Sequence, residues 1–434
     1  MRKLNQAEEA FTIVNAKFPF TLVCALKLNA GPSVQTLRSA LDELQHIYPF
    51  LSAVVQEKNK HFYFEKDEYE NPIPIQLIER TDDQQWQTIV RKELNTAFDH
   101  ARGPLMRVLY LASALSEEKA EIILSFHHAI IDAVSFLPMV QKLLILAGKN
   151  DKDTNKLPSP LTVPEAHSPV LRDVLPPAFK GPRLIFKLLP FLFRQMQDEL
   201  NYKKGSRGIE DAAIPISSEN DLLTINFSEE ETLALVKWTR SKRITLNSTI
   251  TATMLKIVNR HSYAGKKELL RAVQFANLRP YLQPPVEDDG AGCFVAMMRY
   301  TAKLPPQGDI IQLAAYLDEQ FKKSAKRGDK YLYAILSKML VERTMKAHNA
   351  RLGAVALSYA GAINLKNQYG DIQVNNVHAF ISNNCLGAEL AAFGKICFGR
   401  LSLDFNFMLA ETSREKASVM VQDIHSQLLQ YTVS

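Results

Sequence analysis

Two hydrophobic periods alternate along the chain. Phe20–Leu28, "FTLVCALKL", is apolar almost without a break, as in a buried strand. Val34, Leu37, Leu41, Leu44 and Ile47 then recur at three- and four-residue steps. That spacing predicts a helix over 34–48, starting after Pro32 and Ser33 and stopping before Pro49. Phe50–Gln56 and His61–Phe64 read as a hairpin around "EKNK". Gln84–Phe98 places Trp86, Ile89, Val90, Leu94 and Phe98 on one helical face. Leu105–Ala112 and Ala120–His127 read as strands, and a helical period returns over Ala133–Leu146.

From about Asn150 the pattern lapses. Lys156–Val170 is proline-rich and reads as a linker, Phe179–Arg194 is basic and apolar, and Asn201–Asp211 is a charged tail. Regular periods resume with a strand at Leu222–Phe227, helices at Ser228–Ser241 and Thr245–Arg260, and a strand at Glu268–Ala276. Helices follow at Asp309–Lys326 and Leu332–Lys346, then strands within "AVALSYAG" and "ICFGRLSLDFNF", and a last helix at Ser413–Tyr431. The expectation is two α/β halves of similar content, 1–165 and 215–434, joined by a crossover at 166–214. The length of 434 residues fits it, since domains run to roughly 100–200 residues.

Charge adds little. A net charge of +6 is mild at this length, and no Lys/Arg stripe is interleaved with aromatics, so nucleic acid is not an expected partner. The excess suits an acidic carrier protein or a phosphorylated co-substrate. Cys24, Cys293, Cys385 and Cys397 are widely spaced and read as reduced buried thiols. The N-terminus shows no continuous apolar signal region, and the most apolar run, Leu184–Phe193, holds Lys187 and Pro190. A bilayer span needs about 20 residues. A cytoplasmic protein with at most peripheral membrane contact is therefore expected. Pro182 and Pro190 are expected to limit any helix between them to about two turns.

The chemistry concentrates in "SFHHAIIDAVS", Ser125–Ser135, where two histidines close a buried strand and an aspartate follows. Adjacent residues on a strand point to opposite faces, so His127 and His128 are poorly placed to share a metal ion, and none is expected. A division of labour fits better, with one imidazole packed inside and one facing a cavity. A neutral imidazole can take a proton from an attacking hydroxyl or amine. Asp132 can turn the chain or pair with a buried arginine. On spacing alone, a core histidine with a structural aspartate competes with this catalytic reading.

HHxxxD at a strand end, before a helix, resembles the active-site motif of the condensation-domain and chloramphenicol-acetyltransferase-like acyltransferase superfamily. "ALDELQHIYPFLSAVV", Ala40–Val55, is similar to the superfamily's early helix-and-strand signature. "FDHARGPLMRVLYL", Phe98–Leu111, is similar to its GPL-x-R segment. "FANLRPYL" resembles the Asn-x-Arg-x-x-Leu motif of polyketide-associated, dimycocerosyl-transferase-like members at Asn277, Arg279 and Leu282. "ALSYAGAINL" falls where a Ser-Asn-x-Gly strand is common, with Ser358 kept and Tyr359 in place of asparagine. Ala133 replaces the glycine that usually follows the aspartate, and would be strained if that turn required positive φ. A DFGWG segment is lacking, with "LDFNF" near its place, and no carrier, adenylation or ketosynthase signature accompanies the core.

The resemblance implies two chloramphenicol-acetyltransferase-like subdomains, each a mixed sheet flanked by helices, forming a V-shaped pseudo-dimer with His128 in a cleft between them. It implies acyl transfer from a coenzyme A or phosphopantetheine thioester to a hydroxyl, with no permanently bound cofactor. His128 would be the base, Asp132 and Arg279 a supporting pair, His127 a packed residue, and Asn277 and Ser358 substrate-binding candidates. An acyl carrier protein or polyketide synthase carrier domain and a small-molecule alcohol are the implied partners. Backbone N–H groups near Ala129–Asp132, or a side chain from the second half, are candidates for stabilising the oxyanion. Amide formation on an amine, and a non-catalytic binding role, stay open as alternatives.

Overall fold

The computed structural model describes residues 2–67, 71–113, 119–148, 169–205, 219–288, 290, 292–305, 309–346, 351–383 and 387–433. Most of the proline-rich linker reading, the end of the charged tail and Cys385 lie outside the described residues.

In chain order the elements begin with β1 (Arg2–Lys3), α1 (Gln6–Asn15), β2 (Thr21–Ala30), α2 (Val34–Ile47), β3 (Ala53–Lys58) and β4 (His61–Lys66). Then come β5 (Ile75–Glu79), α3 (Gln85–Leu94), β6 (Met106–Ala112), β7 (Ala120–His127), α4 (Phe136–Ala147), α5 (Leu171–Val174) and α6 (Arg183–Gly205). The chain continues with β8 (Asn220–Asn226), α7 (Glu229–Ser241), α8 (Leu246–Ser262), β9 (Leu269–Asn277), β10 (Val295–Lys303), α9 (Ile310–Arg327) and α10 (Asp329–Lys346). It ends with β11 (Gly353–Ala362), β12 (Gln368–Tyr369), β13 (Ile372–Ile381), β14 (Ala388–Cys397), β15 (Arg400–Met408) and α11 (Arg414–Gln430).

These elements form two compact units, and chain order alone does not divide them. The first comprises 1–174 together with 279–294 and 363–382; the second comprises 175–278, 295–362 and 383–434. Residues 279–294 and 363–382, which the sequence puts in the second half, thus belong to the first unit.

The first unit holds a mixed six-stranded sheet in the order β12-β13-β2-β7-β6-β5 and a small sheet β1-β4-β3. In the large sheet only the β5–β6 pair is parallel. Ser33 caps α2 by accepting from the Thr36 N–H, and Leu37, Ala40, Leu41, Leu44 and Ile47 form its buried face. Pro49 starts a short 3-10 turn instead of a strand, so β3 begins at Ala53. Asn59 and Lys60 both adopt positive φ, 52° and 63°, which closes the β3–β4 hairpin tightly. α3 lays Trp86 flat on His378 of β13, with ring centroids 4.7 Å apart.

The second unit holds a six-stranded sheet in the order β10-β9-β11-β14-β15-β8, parallel at β9–β11 and β11–β14. α8 is buried along most of its length, and α7 begins in a capping box between Ser228 and Glu231. The expectation of a two-turn helix after Pro182 is corrected here. α6 runs for 23 residues and continues through Pro190. An internal proline costs about 3 kcal/mol, and tertiary contacts outweigh it. Phe191 is buried edge-on to Tyr333 at 5.0 Å, Arg194 pairs with Asp329 at 2.8 Å, and Asp198 and Glu199 receive Arg271 at 3.2 and 2.9 Å. Among the described residues, no helix is long and apolar enough to cross a membrane.

Candidate active site

The site grows out of the end of β7, every residue of which is buried. His127 ends the strand opposite Thr21 of β2, and its N–H donates to Leu105 O at 2.9 Å. The chain then turns, with the Ile130 N–H returning to His127 O, and enters α4. Leu105 belongs to the GPL segment, where Gly103 sits at φ +59° beside Val54, a conformation that a side chain would strain.

The two histidines occupy different surroundings. The His127 ring lies edge-on to Phe98 at 6.1 Å and 5.9 Å from His100. Its Nδ1 accepts from the Ala129 N–H at 3.2 Å, so the neutral ring carries its proton on Nε2. That nitrogen is buried and meets no hydrogen-bond partner among the described residues. Burial, and then the neighbouring His100 and His128, push the His127 pKa down to about 3.

His128 lies against Phe11 and Phe20, with ring centroids 4.6 and 5.2 Å away. Its Nδ1 is 2.8 Å from Ile131 O. A carbonyl only accepts, so Nδ1 carries the proton and Nε2 the basic lone pair. Burial lowers the His128 pKa below its ordinary value, against the raising pull of the Ile131 carbonyl and Asp132. The neutral form, with its Nε2 lone pair, is favoured as a result. The residue keeps 5% exposure, where His127 keeps none.

Behind this turn sits a buried clasp. Asp132 Oδ2 accepts from Arg279 Nη1 at 2.6 Å and from the Phe294 N–H at 2.9 Å. Its Oδ1 accepts from the N–H groups of Val134 and Ser135, both at 3.0 Å, and so prepares the start of α4. Arg279 is fully buried and also donates to Gly290 O and Gly292 O, both at 3.1 Å. Burial alone would raise the Asp132 carboxyl pKa; the Arg279 charge and the N–H groups of Ser135 and Phe294 outweigh it and hold the value low. Ala133 is not among the residues at positive φ, so alanine is unstrained in this turn.

Two further residues complete the site, and the motifs did not single out either. Cys293 Sγ donates to His128 O at 2.9 Å, a reach of 165 residues along the chain. Burial, then Asp132 and Glu8, push its thiol pKa well up, so it stays protonated and can donate. Glu8, buried on α1 and paired with Arg2 at 2.8 Å, accepts the Cys293 N–H at 3.2 Å. The sequence reading did not place α1; the signal that could have found it is the Asn5–Glu8 spacing of a capping box, in which Glu8 Oε2 accepts the Asn5 N–H at 2.7 Å.

His127, His128, Asp132 and Arg279 thus meet in the first unit. Asn277 and Ser358 belong to the second. Asn277 ends β9 opposite Val295, and Ser358 lies in β11 beside Phe393 of β14. The expected oxyanion donors are corrected in part. The N–H groups of Ala129, Ile130 and Asp132 are already engaged by His127 Nδ1, His127 O and Ser135 Oγ.

Two mixed sheets flanked by helices are the fold of condensation-domain and chloramphenicol-acetyltransferase-like proteins. Two family matches show that the chain belongs to this superfamily. Residues 16–162 match the condensation domain family, and residues 218–393 match the family described as phthiocerol/phthiodiolone dimycocerosyl transferase C-terminus. Solved structures share the fold. Polyketide synthase associated protein 5 from Mycobacterium tuberculosis is 17% identical with a TM-score of 0.68, over 100% of this chain and 98% of that one. Trichothecene 15-O-acetyltransferase from Fusarium sporotrichioides is 12% identical with a TM-score of 0.77, over 99% and 94%. The first condensation domain of the CDA synthetase is 12% identical with a TM-score of 0.67, over 100% and 96%. No curated protein matches the sequence significantly.

Proposed function

We propose that this acyltransferase-family chain moves an acyl group from a thioester to a hydroxyl, with His128 as general base. The observation that carries the reading is the Nδ1 contact to Ile131 O at 2.8 Å, which leaves Nε2 as the basic nitrogen. The acceptor oxygen attacks the thioester carbonyl carbon while its proton passes to Nε2. The tetrahedral oxyanion collapses, the C–S bond breaks, and the thiolate leaves with the proton from Nε2. No bond to the protein forms. General-base assistance of this kind contributes about 10²–10⁴-fold.

The donor is a coenzyme A or phosphopantetheine thioester, a substrate and not a resident group. The net charge of +6 suits an acidic carrier or the phosphates of either donor. A condensation domain among the solved relatives is a piece of a synthetase, which supports a carrier as partner. The match to the dimycocerosyl transferase C-terminus and the likeness to a trichothecene O-acetyltransferase favour a lipid, polyketide or other small alcohol over an amine. Mass spectrometry of hydroxyl- and amine-bearing acceptors, incubated with acyl-coenzyme A and acyl-carrier donors, tests the reading. Ester products that vanish in His128→Ala support it. Amide products alone would move the chain to the condensation-enzyme reading, and no product on any pair would leave a binding role.

A further inference from the structure

We propose that α6 rests its outer face on an anionic lipid surface. At 3.6 residues per turn, Ile185, Phe186, Leu189, Phe193, Met196 and Leu200 fall in one stripe along the helix. Each is between 51% and 76% exposed, with Phe186 the most. A soluble protein rarely leaves so many large apolar side chains contiguous in water. The opposite face is anchored by Phe191, Arg194, Asp198, Glu199 and Tyr202, so the stripe is held outward and not merely unpacked.

Charge identifies the occupant. Lys203 and Lys204 are exposed where the stripe ends, and Arg183 and Lys187 are exposed on its flank near its start. The only acids of the helix, Asp198 and Glu199, are half-buried against Arg271 and Arg299, and Glu199 also lies 3.9 Å from Lys203. The outer face therefore presents apolar groups and cations together. That is the combination that seats a helix in the plane of an anionic bilayer, with lysines and arginines reaching the headgroups. A row running the length of a 23-residue helix suits a flat surface better than the compact apolar centre and polar rim of a protein interface. Such a seat would bring the protein to acceptors that partition into lipid. It stands apart from the role of His128, because binding is read without turnover.

The test is co-sedimentation of the full chain with vesicles of phosphatidylcholine, alone or mixed with phosphatidylglycerol. Met196 and Leu200 also border a groove of about 950 Å³, so the variants use residues outside it. One is Phe186→Ser/Leu189→Ser/Phe193→Ser; the other is Lys187→Glu/Lys204→Glu. The wild-type chain is expected on phosphatidylglycerol vesicles, about tenfold more weakly on phosphatidylcholine alone or in high salt. Each variant is expected to weaken binding about tenfold with thermal melting unchanged. If the triple variant fails to fold, the charge variant still decides. Absence of wild-type binding, or variants that bind as the wild type does, overturns the proposal. So does light scattering that shows a dimer dissolved by the triple variant and no vesicle binding, since a second copy would then cover the stripe.

Discussion

Asp132 and Arg279 lie 147 residues apart in sequence and 2.6 Å apart in space, both buried. Asp132 links the turn after the histidines to the 279–294 segment, since the same carboxylate also takes the Phe294 N–H. Removing it leaves a buried guanidinium without its counter-charge, a loss of about 3–5 kcal/mol. Asp132→Ala should therefore lower the melting temperature and the activity together. A variant that melts like the wild type would show that the clasp is not structural.

His128→Ala should separate the two effects. The ring packs on Phe11 and Phe20, yet its Nε2 holds up no part of the fold that the structure shows. Transfer should fall by about 10²-fold or more while unfolding stays close to wild type. A general base works in its free form, and burial lowers the His128 pKa, so the proposed role predicts a rate that stays level from pH 8 to about 6.5 and falls only below that. A rate that climbs steeply between pH 7 and 8 would point to another base.

His127 should govern acid stability more than rate. Its pKa is about 3 in the fold and about 6.5 in an unfolded chain. Between those values the unfolded state binds a proton that the folded state refuses, so stability is lost as pH falls through that window. The slope reaches about 1.4 kcal/mol per pH unit. Urea unfolding at pH 7 and pH 5 should show His127→Gln losing about 2 kcal/mol less than wild type on acidification. Equal losses in the two proteins would remove His127 as the cause.

Glu411 should act with the opposite sign. Its side chain is 2% exposed and lies 3.2 Å from Arg351, with Glu389 in the same cluster. Burial and then Glu389 raise its pKa to about 7, despite Arg351. Stability from the neutral acid is complete below an unfolded value near 4.5 and is lost as pH rises through about 7. Glu411→Gln keeps the shape without the charge. It should melt higher than wild type at pH 8 and gain little at pH 5; destabilisation at pH 8 would show that the Arg351 pair dominates.

Much of the local structure was legible because its signals are local. Ser33 and Pro49 bracket α2, and the apolar steps between them fix its buried face. The strand end at His127 could be read from the run before it. β13 could not, since its register shifts twice, between Gln373 and Val374 and again before Asn376, and two asparagines interrupt the apolar alternation. α6 was cut short in the reading because Pro190 is a local signal to stop, and contacts far along the chain override it. For the site, residues and spacing narrowed His128 to two roles, and resemblance supplied Arg279. Glu8 reaches Cys293 across 285 residues, and its one local signal, the capping-box spacing from Asn5, speaks for a helix start and not for the site.

The pairing of β2 with β13 sets an order of events during synthesis. β2 joins β7 on one side as soon as residues 120–127 have emerged, but its other edge waits for 372–381. Until then a ten-residue strand presents unpaired N–H and C=O groups while most of the chain is still being made. The unit that leaves the ribosome first is thus among the last to close. An exposed strand edge of that kind is where an incomplete chain can pair wrongly, and here the edge stays open until the far end of the chain is available.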